Sequence, residues 1–485
     1  MLKQAAFFLL FTTFGLSLQA QQKSALSQAF NSFKNDPGLR NASIGFCIMN
    51  AEGGNVVFRY NDSTSLAPAS CLKIVTTGAA LAILGEKHVF ETKLCYTGNI
   101  DSNGALHGNI VIIGGGDPTL GEDRFETRTD LNGFVKVIKD RGIKHIDGKV
   151  IVDASYYNDD PISPKWAWDD IGNYFGCGVF GLNYAGNVYK IKLQPAPKEG
   201  SIVELIGLQP KDAGMVVENK LFTGKPGSGD QSNVFGSPND SFRVLSGTIP
   251  ASKSPFTVKG SLPNPPAWFA KNFASMLYKD GLLSDKSQWE VKTGNAPVSG
   301  TKIMDSYASP LVRDIVHFTN LNSINLYAEC LLQEIGKKTP GSGSRQAGVH
   351  AIKKYWYNKG IDTLGLLMDD GSGLSRYDGI TAFQLTKMLS VIQKEKYFDI
   401  FLNSLPVSGQ SSSMKTMGKG TEMEGKIYCK TGHMDRVRAY SGYFKSKTGK
   451  WMSFSLLVNN YSLNSIEIHD RIENLLLSMI QTNDQ

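Results

Sequence analysis

The chain has 485 residues, 41% of them hydrophobic, and its 51 basic and 44 acidic side chains give a formal charge of +7. This length allows two or three domains and a large core, and the charges lie scattered without like-charge runs, which argues for a weakly basic surface and against a nucleic-acid-binding face. Six widely spaced cysteines (Cys47, Cys71, Cys95, Cys177, Cys330, Cys429) and seven histidines without ligand spacing make neither a disulfide framework nor a metal site. The cysteines are read as small buried apolar side chains with at most one bridge among them, and neither metal nor cofactor is expected.

In chain order, residues 1–20 carry one lysine, Lys3, an apolar segment from Ala5 to Leu18 and a small residue at Ala20. That pattern is a secretory signal peptide, too short to span a bilayer, and no later apolar run reaches the roughly 20 residues a spanning helix needs. An exported, periplasmic protein is expected. Ser24 to Phe33 reads as a helix, and Ile44 to Asn50 with Val56 to Tyr60 as a β-hairpin around Glu52-Gly53-Gly54. Pro68-Ala69-Ser70-Cys71-Leu72-Lys73 then opens the most apolar helical run of the chain, Ile74 to Leu84, which stops at Gly85.

From His88 to about Asn295 short strands alternate with turns and few helices. Phe90 to Cys95, Asn109 to Ile113 and Lys149 to Asp153 are strand-like, and Arg128 to Asp140 has the period of an amphipathic helix. Tyr189 to Pro255 is richer still in turns and reads as a small all-β module, after which Trp268 to Tyr278 forms a helix. From Ala296 helices dominate: Ser309 to Phe318, Ile324 to Gly336, Ser344 to Lys359 and Ile380 to Lys394. The chain ends in strands Gly425 to Lys430, Ala439 to Lys445 and Met452 to Asn459 and a helix, Ser465 to Ile480. Strands at both ends with helices between predict an α+β fold, in which both termini build one antiparallel sheet beside a helical cluster. The expected organisation is a signal peptide at 1–20, a main domain from 21–87 and 296–485, an inserted α/β domain from 88–188 and 256–295, and a nested β-rich domain at 189–255.

Three short patterns carry chemistry, and each also occurs by chance. Ser-x-x-Lys stands at Ser70, Ser299 and Ser412, but only Ser70 opens an apolar helix that holds Lys73 on the same face one turn away. A serine becomes a nucleophile only when something takes its proton, and a lysine does so only if burial or a second cation lowers its pKa. Lys-Thr-Gly stands at Lys292 (a strand exit), Lys430 (extending a strand) and Lys447 (a hairpin turn). Only Lys430-Thr431-Gly432 suits an edge strand lining a cleft, with the glycine placed for close approach of a substrate. Ser-x-Asn stands at Ser237, Ser323 and Ser462, and only Ser323-Ile324-Asn325 joins two helices.

The order Ser70-x-x-Lys73, Ser323-x-Asn325, Lys430-Thr431-Gly432 resembles the penicillin-recognising serine acyl-transferases. Gly114-Gly115-Gly116-Asp117-Pro118-Thr119-Leu120, Asp369-Asp370-Gly371-Ser372-Gly373-Leu374-Ser375-Arg376 and Ser404-Leu405-Pro406 resemble signatures of one branch, the class C low-molecular-mass penicillin-binding proteins, or D-alanyl-D-alanine carboxypeptidase/endopeptidases of peptidase family S13. The resemblance covers nearly the whole chain after residue 20. It implies a serine β-lactamase/DD-peptidase-like transpeptidase domain, with peptidoglycan stem peptides and β-lactams as partners. By residue it implies Ser70 as the acylated nucleophile, Lys73 as its base and Ser323 as proton relay to the leaving D-Ala amine. Asn325 would hold the substrate amide, Lys430 would supply the second cation and Thr431 would bind the substrate carboxylate. The backbone N–H groups of Ser70 and His433 would form the oxyanion hole, and Asp170, Arg376 and Met434 would line the pocket for the peptide side chain.

Two other readings compete. A β-lactamase would carry a deacylating base, but no Glu-x-x-Leu-Asn precedes Lys430, and Ser323 stands where a tyrosine would mark another lactamase class. A non-catalytic wall-organising protein would have no use for every reactive group. His433 lacks the Gly-x-Ser-x-Gly elbow of a Ser-His-Asp enzyme, so its side chain is read as a bystander.

Overall fold

The computed structural model describes residues 25–125, 131–158, 160–211, 213–294, 297–339 and 342–482. The expected leader, the start of the expected Arg128 to Asp140 helix and the expected boundary at 295/296 lie outside the described residues.

Both ends of the chain meet in one five-stranded antiparallel sheet. Its order in space is Val56–Tyr60, Ser43–Asn50, Trp451–Asn459, Val437–Lys445, Ile427–Met434. Ser43 pairs with Asn459 and Asn50 with Met452, so the first strand is clamped by the last. The two strands Ser43–Asn50 and Trp451–Asn459 are buried along nearly their whole length. That explains their continuous apolar character: both faces of the sheet are covered. On one face lie Phe30 and Phe33 of a helix over 25–34 with Ile468, Ile472 and Leu476 of the helix Ser465–Met479. A cluster of helices covers the other face.

At the centre of that cluster runs the helix Leu72–Ile83, buried from Leu72 to Leu81 on every side. It packs against the helices Val312–Leu321, Asn325–Lys338, Arg345–Asn358 and Ala382–Gln393. A side chain at Gly78 would come within 2.9 Å of Ile392 Cδ1. This glycine costs roughly 1 kcal/mol of helix propensity but lets the helix Ala382–Gln393 approach. Trp356, fully buried, donates its Nε1–H to Val75 O at 3.1 Å. Each large apolar side chain buried here contributes roughly 1.5–3 kcal/mol, which holds this helix firmly in the cluster.

A second five-stranded sheet fills the inserted region, in the order Trp289–Lys292, Val150–Asp153, Ile110–Ile113, Glu91–Tyr96, Lys302–Ala308. The helices Leu131–Asp140 and Pro265–Lys279 supply its apolar cover. Two strands fall on the other side of the expected domain boundaries. Lys302–Ala308, assigned by sequence to the main domain, pairs antiparallel with Glu91–Tyr96 of the insert. Only Met304 of that edge strand is buried, so its sequence shows no apolar alternation to read. Phe256–Ser261, placed outside the β-rich module, pairs along Val188–Gln194 and carries the module's core residue Val258. All six cysteines are buried and unbridged.

One buried carboxylate ties the insert to the helix Asn325–Lys338. Glu334, 1% exposed, bonds His88 Nε2 at 3.0 Å and accepts from Tyr156 OH at 3.1 Å and from Tyr157 OH at 3.3 Å. Removing it strands three polar groups away from water. We expect Glu334→Ala to lose about 3 kcal/mol in denaturant unfolding of the full chain, and Glu334→Gln to lose less because it keeps an acceptor. An unchanged unfolding midpoint in both would show that the clamp carries no stability.

Candidate active site

Ser70 lies in the 3-10 turn Ala69–Cys71, which runs directly into the central helix. Ala69 has φ +45°, a left-handed conformation costing a non-glycine residue on the order of 1 kcal/mol. Two glycines make room for this strained turn. A side chain on Gly432 would lie 2.4 Å from Pro68 O, and one on Gly373 would lie 1.9 Å from Ala69 O. Gly432 thus admits the backbone of the Ser70 turn itself.

Lys73 is 0% exposed, and its Nζ donates to Ser70 Oγ at 3.0 Å, Asn325 Oδ1 at 2.6 Å and Ser372 O at 2.7 Å. An ammonium has three hydrogens, so this set matches it one for one. Burial pushes the Lys73 pKa down to about 7, helped by the positive charge of Lys430 and opposed by the charges of Asp370 and Glu329. The amine is therefore poised to exchange a proton with Ser70 near neutral pH.

Asn325 opens the helix Asn325–Lys338, and its Nδ2 donates to Phe175 O of the insert at 2.8 Å. Ser323, two residues earlier, has φ +58° and is partly exposed. Among the described residues its hydroxyl has no hydrogen-bond partner. This tight turn is what places Ser323 and Asn325 at the mouth of one helix.

Lys430 lies in the strand Ile427–Met434, at the edge of the central sheet. It is 1% exposed, burial pushes its pKa down to about 8, and its Nζ donates to Thr431 O at 2.7 Å. Cys71 Sγ donates to Lys430 O at 3.2 Å, which pins the serine turn to this strand. Cys429 N–H points off the open edge to Pro406 O. By the two-residue alternation of a strand, the N–H groups of Thr431 and His433 face the same open side. Thr431 Oγ1 donates to Ser413 Oγ at 2.7 Å, His433 is exposed and Met434 closes the strand.

Asp170 belongs to the short helix Trp168–Ile171 and is half-buried, so it does not cap that helix, whose cap position is Ala167. Burial and the neighbouring Asp169 raise its pKa to about 6, and the charge of the exposed Arg376 opposes the rise. Asp170 comes from the insert and Arg376 from the main domain.

Four groups at the site were not singled out as functional from sequence: the Ser372 carbonyl, the buried Asp370, the Phe175 carbonyl and Ser413. Asp370-Gly371-Ser372-Gly373 belongs to a stretch that resembles a family signature, and nothing in it marks the acceptor loop for Lys73. Ser413 sits inside the discarded Ser412-x-x-Lys415 match, a 3-10 turn whose middle hydroxyl reaches Thr431. The other discarded matches lie where sequence put them: Lys292 ends a strand and Lys447 lies in the turn between Val437–Lys445 and Trp451–Asn459.

The chain was compared with known proteins. The model of the D-Ala-D-Ala carboxypeptidase 3 (S13) family matches residues 26–478. A D-alanyl-D-alanine carboxypeptidase of an Actinomadura species is 26% identical over 451 residues, covering 90% of this chain and 81% of the relative. The D-alanyl-D-alanine carboxypeptidase DacB of Haemophilus influenzae is 25% identical over 433 residues, covering 88% and 87%. The crystal structure of penicillin binding protein 4 from that organism superposes with a TM-score of 0.78 at 23% identity, covering 95% of this chain and 100% of that one. A second crystal structure of it, complexed with a β-lactam, gives 0.73 at 21% identity, again covering 95% and 100%. The fold is thus that of these proteins, and the family match spans both the main domain and the insert. The chain belongs to the S13 family of D-Ala-D-Ala carboxypeptidases.

Proposed function

We propose that this protein is a serine D-alanyl-D-alanine carboxypeptidase/endopeptidase of the periplasm that acts on peptidoglycan stem peptides and is acylated by β-lactams at Ser70. The observation that carries the reading is the buried Lys73 amine 3.0 Å from Ser70 Oγ, with its pKa brought down to about 7. Family membership and the names of its relatives support the substrate class. The expected leader supports export, and no helix among the described residues is long and apolar enough to cross a membrane.

In this reading neutral Lys73 takes the Ser70 hydroxyl proton as Oγ attacks the carbonyl carbon of the penultimate D-Ala. The carbonyl oxygen becomes an oxyanion facing the backbone N–H groups of Ser70 and His433. Collapse breaks the C–N bond, and Ser323, whose hydroxyl is free, passes a proton from Lys73 to the departing D-Ala nitrogen. Water then releases the acyl group from Ser70. Lys430 and Thr431 hold the terminal carboxylate, with Ser413 orienting the Thr431 hydroxyl, and Asn325 holds the peptide amide. Asp170, Arg376 and Met434 line the pocket for the peptide side chain.

A fluorescent penicillin should label the protein, peptide mapping should place the adduct on Ser70, and Ser70→Ala should abolish it. The same protein should release free D-Ala from a pentapeptide, and monomers from a cross-linked muropeptide. An adduct elsewhere, or none, overturns the assignment.

The pH profile of acylation should be bell-shaped. Lys73 must be neutral, so the rate rises as pH passes about 7, and Lys430 must be charged, so the rate falls as pH passes about 8. Lys430→Gln removes the charge that holds the Lys73 pKa down, so its acid limb should move to higher pH. A limb that stays in place would show that Lys430 does not tune the base.

A further inference from the structure

A cavity of about 580 Å³ lies along the helix Arg345–Asn358, and none of Ser70, Lys73, Ser323 and Lys430 lines it. Arg345, Val349, Lys353 and Tyr357 recur every four residues, so they share one face of that helix, and all four line the cavity. Lys354, on the neighbouring row, lines it too, as do Lys165 of the insert and Met368 and Asp369 of the segment that leads into Asp370. The volume is that of a small-ligand site.

The charges around this space do not balance. Four lining side chains are permanent cations, and Asp369 is the one lining carboxylate. Asp369 pairs with Lys165 at 3.4 Å, and Asp160 pairs with Arg345 at 3.1 Å. Lys353 and Lys354 pair with no carboxylate among the described residues. Arg345 is 3% exposed and takes the first position of its helix, where the helix dipole disfavours positive charge. Its Nη2 donates to Asp160 O at 3.1 Å, while its buried Nε–H finds no acceptor among the described residues. The cavity is therefore left with two uncompensated ammonium groups next to a buried guanidinium that is already fully engaged with its only carboxylate.

Two unpaired cations call for more charge than one carboxylate brings. A phosphate monoester carries about 1.5–2 negative charges near neutral pH and offers three acceptor oxygens, so it can meet both lysines at once. Beside them Val349 and Met368 are partly buried and the Tyr357 ring is 67% exposed, which gives a substituent apolar surface to cover. We propose that this cavity binds a phosphate monoester with an apolar or aromatic substituent, the phosphate between Lys353 and Lys354 and the substituent against Tyr357. The site stands apart from the Ser70 chemistry and does not depend on the function proposed above.

Titration calorimetry on the full chain tests it with three probes: phenyl phosphate, phenylacetate, which keeps the ring and carries one carboxylate, and inorganic phosphate. Phenyl phosphate should bind at least about tenfold tighter than phenylacetate and at least about threefold tighter than inorganic phosphate, and added salt should weaken it. Lys353→Gln combined with Lys354→Gln should weaken phenyl phosphate at least about tenfold. That double variant should keep the wild-type unfolding midpoint and the wild-type labelling of Ser70 by penicillin, because both lysines lie toward the surface and outside the Ser70 site. Tyr357→Ser should bring phenyl phosphate and inorganic phosphate within about twofold of each other. Phosphatidylcholine vesicles with and without phosphatidic acid then identify the source of the phosphate. Co-sedimentation that needs both phosphatidic acid and the two lysines supports a lipid headgroup, and binding of phenyl phosphate without co-sedimentation supports a soluble ester.

Equal affinity for phenylacetate and phenyl phosphate overturns the proposal, as does binding that survives the double substitution, or no heat of binding up to about 10 mM phenyl phosphate. Phenyl phosphate binding that disappears once Ser70 carries penicillin would belong to the catalytic cleft and overturns it as well. A protein that binds phenyl phosphate through Lys353 and Lys354 but is not labelled by penicillin keeps this inference and loses the proposed function.

Discussion

The structure depends on keeping one amine out of water. Burying an ammonium costs several kcal/mol unless acceptors replace its solvation, and Lys73 is fully enclosed. Its three acceptors come from its own helix turn and from residues 252 and 299 positions further along the chain. The central helix, the Asn325 helix and the Asp370 loop must therefore meet at one point for the amine to be tolerated there. Even so the set is tuned short of full compensation, because burial and Lys430 outweigh Asp370 and Glu329 and leave the pKa near 7. A better-compensated lysine would stay charged and could take no proton.

The same geometry accounts for the glycines and the strain. The Ser70 turn is held between the edge strand and the Asp370 loop so closely that Gly432 and Gly373 meet its backbone without side chains. Ala69 and Ser323 both adopt left-handed backbone, one beside the nucleophile and one as the free hydroxyl itself. Strain of this kind persists only where packing over-determines it, and the all-round burial of the Leu72–Ile83 helix supplies that packing.

Two residues of the insert bond directly to the elements around Lys73. Phe175 O accepts from the Asn325 amide, and Trp166 Nε1 donates to Asp370. Glu334 anchors this arrangement from behind through His88, Tyr156 and Tyr157. A long excursion between the first two motifs is thus tolerated because its start and its middle both dock on the Asn325 helix.

The α+β class and the sheet shared by both termini were legible in the sequence, and so were the elements on which Ser70, Ser323 and Lys430 stand. Local signals carry them: apolar period, glycine stops, and a motif's place at a helix start or strand edge. Edge strands such as Lys302–Ala308 were not legible, since an exposed strand needs no apolar alternation. The meaning of Gly432 was not legible either, nor were the roles of Asp370, Phe175 and Ser413. Those depend on which backbone comes within about 3 Å of which side chain after distant segments pack. The sequence by itself determined which groups could react. Only the tertiary structure decided that Lys73 is dry, triply accepted and next to a second cation, because solvation and charge are properties of a residue's surroundings, and its surroundings here come from the far end of the chain.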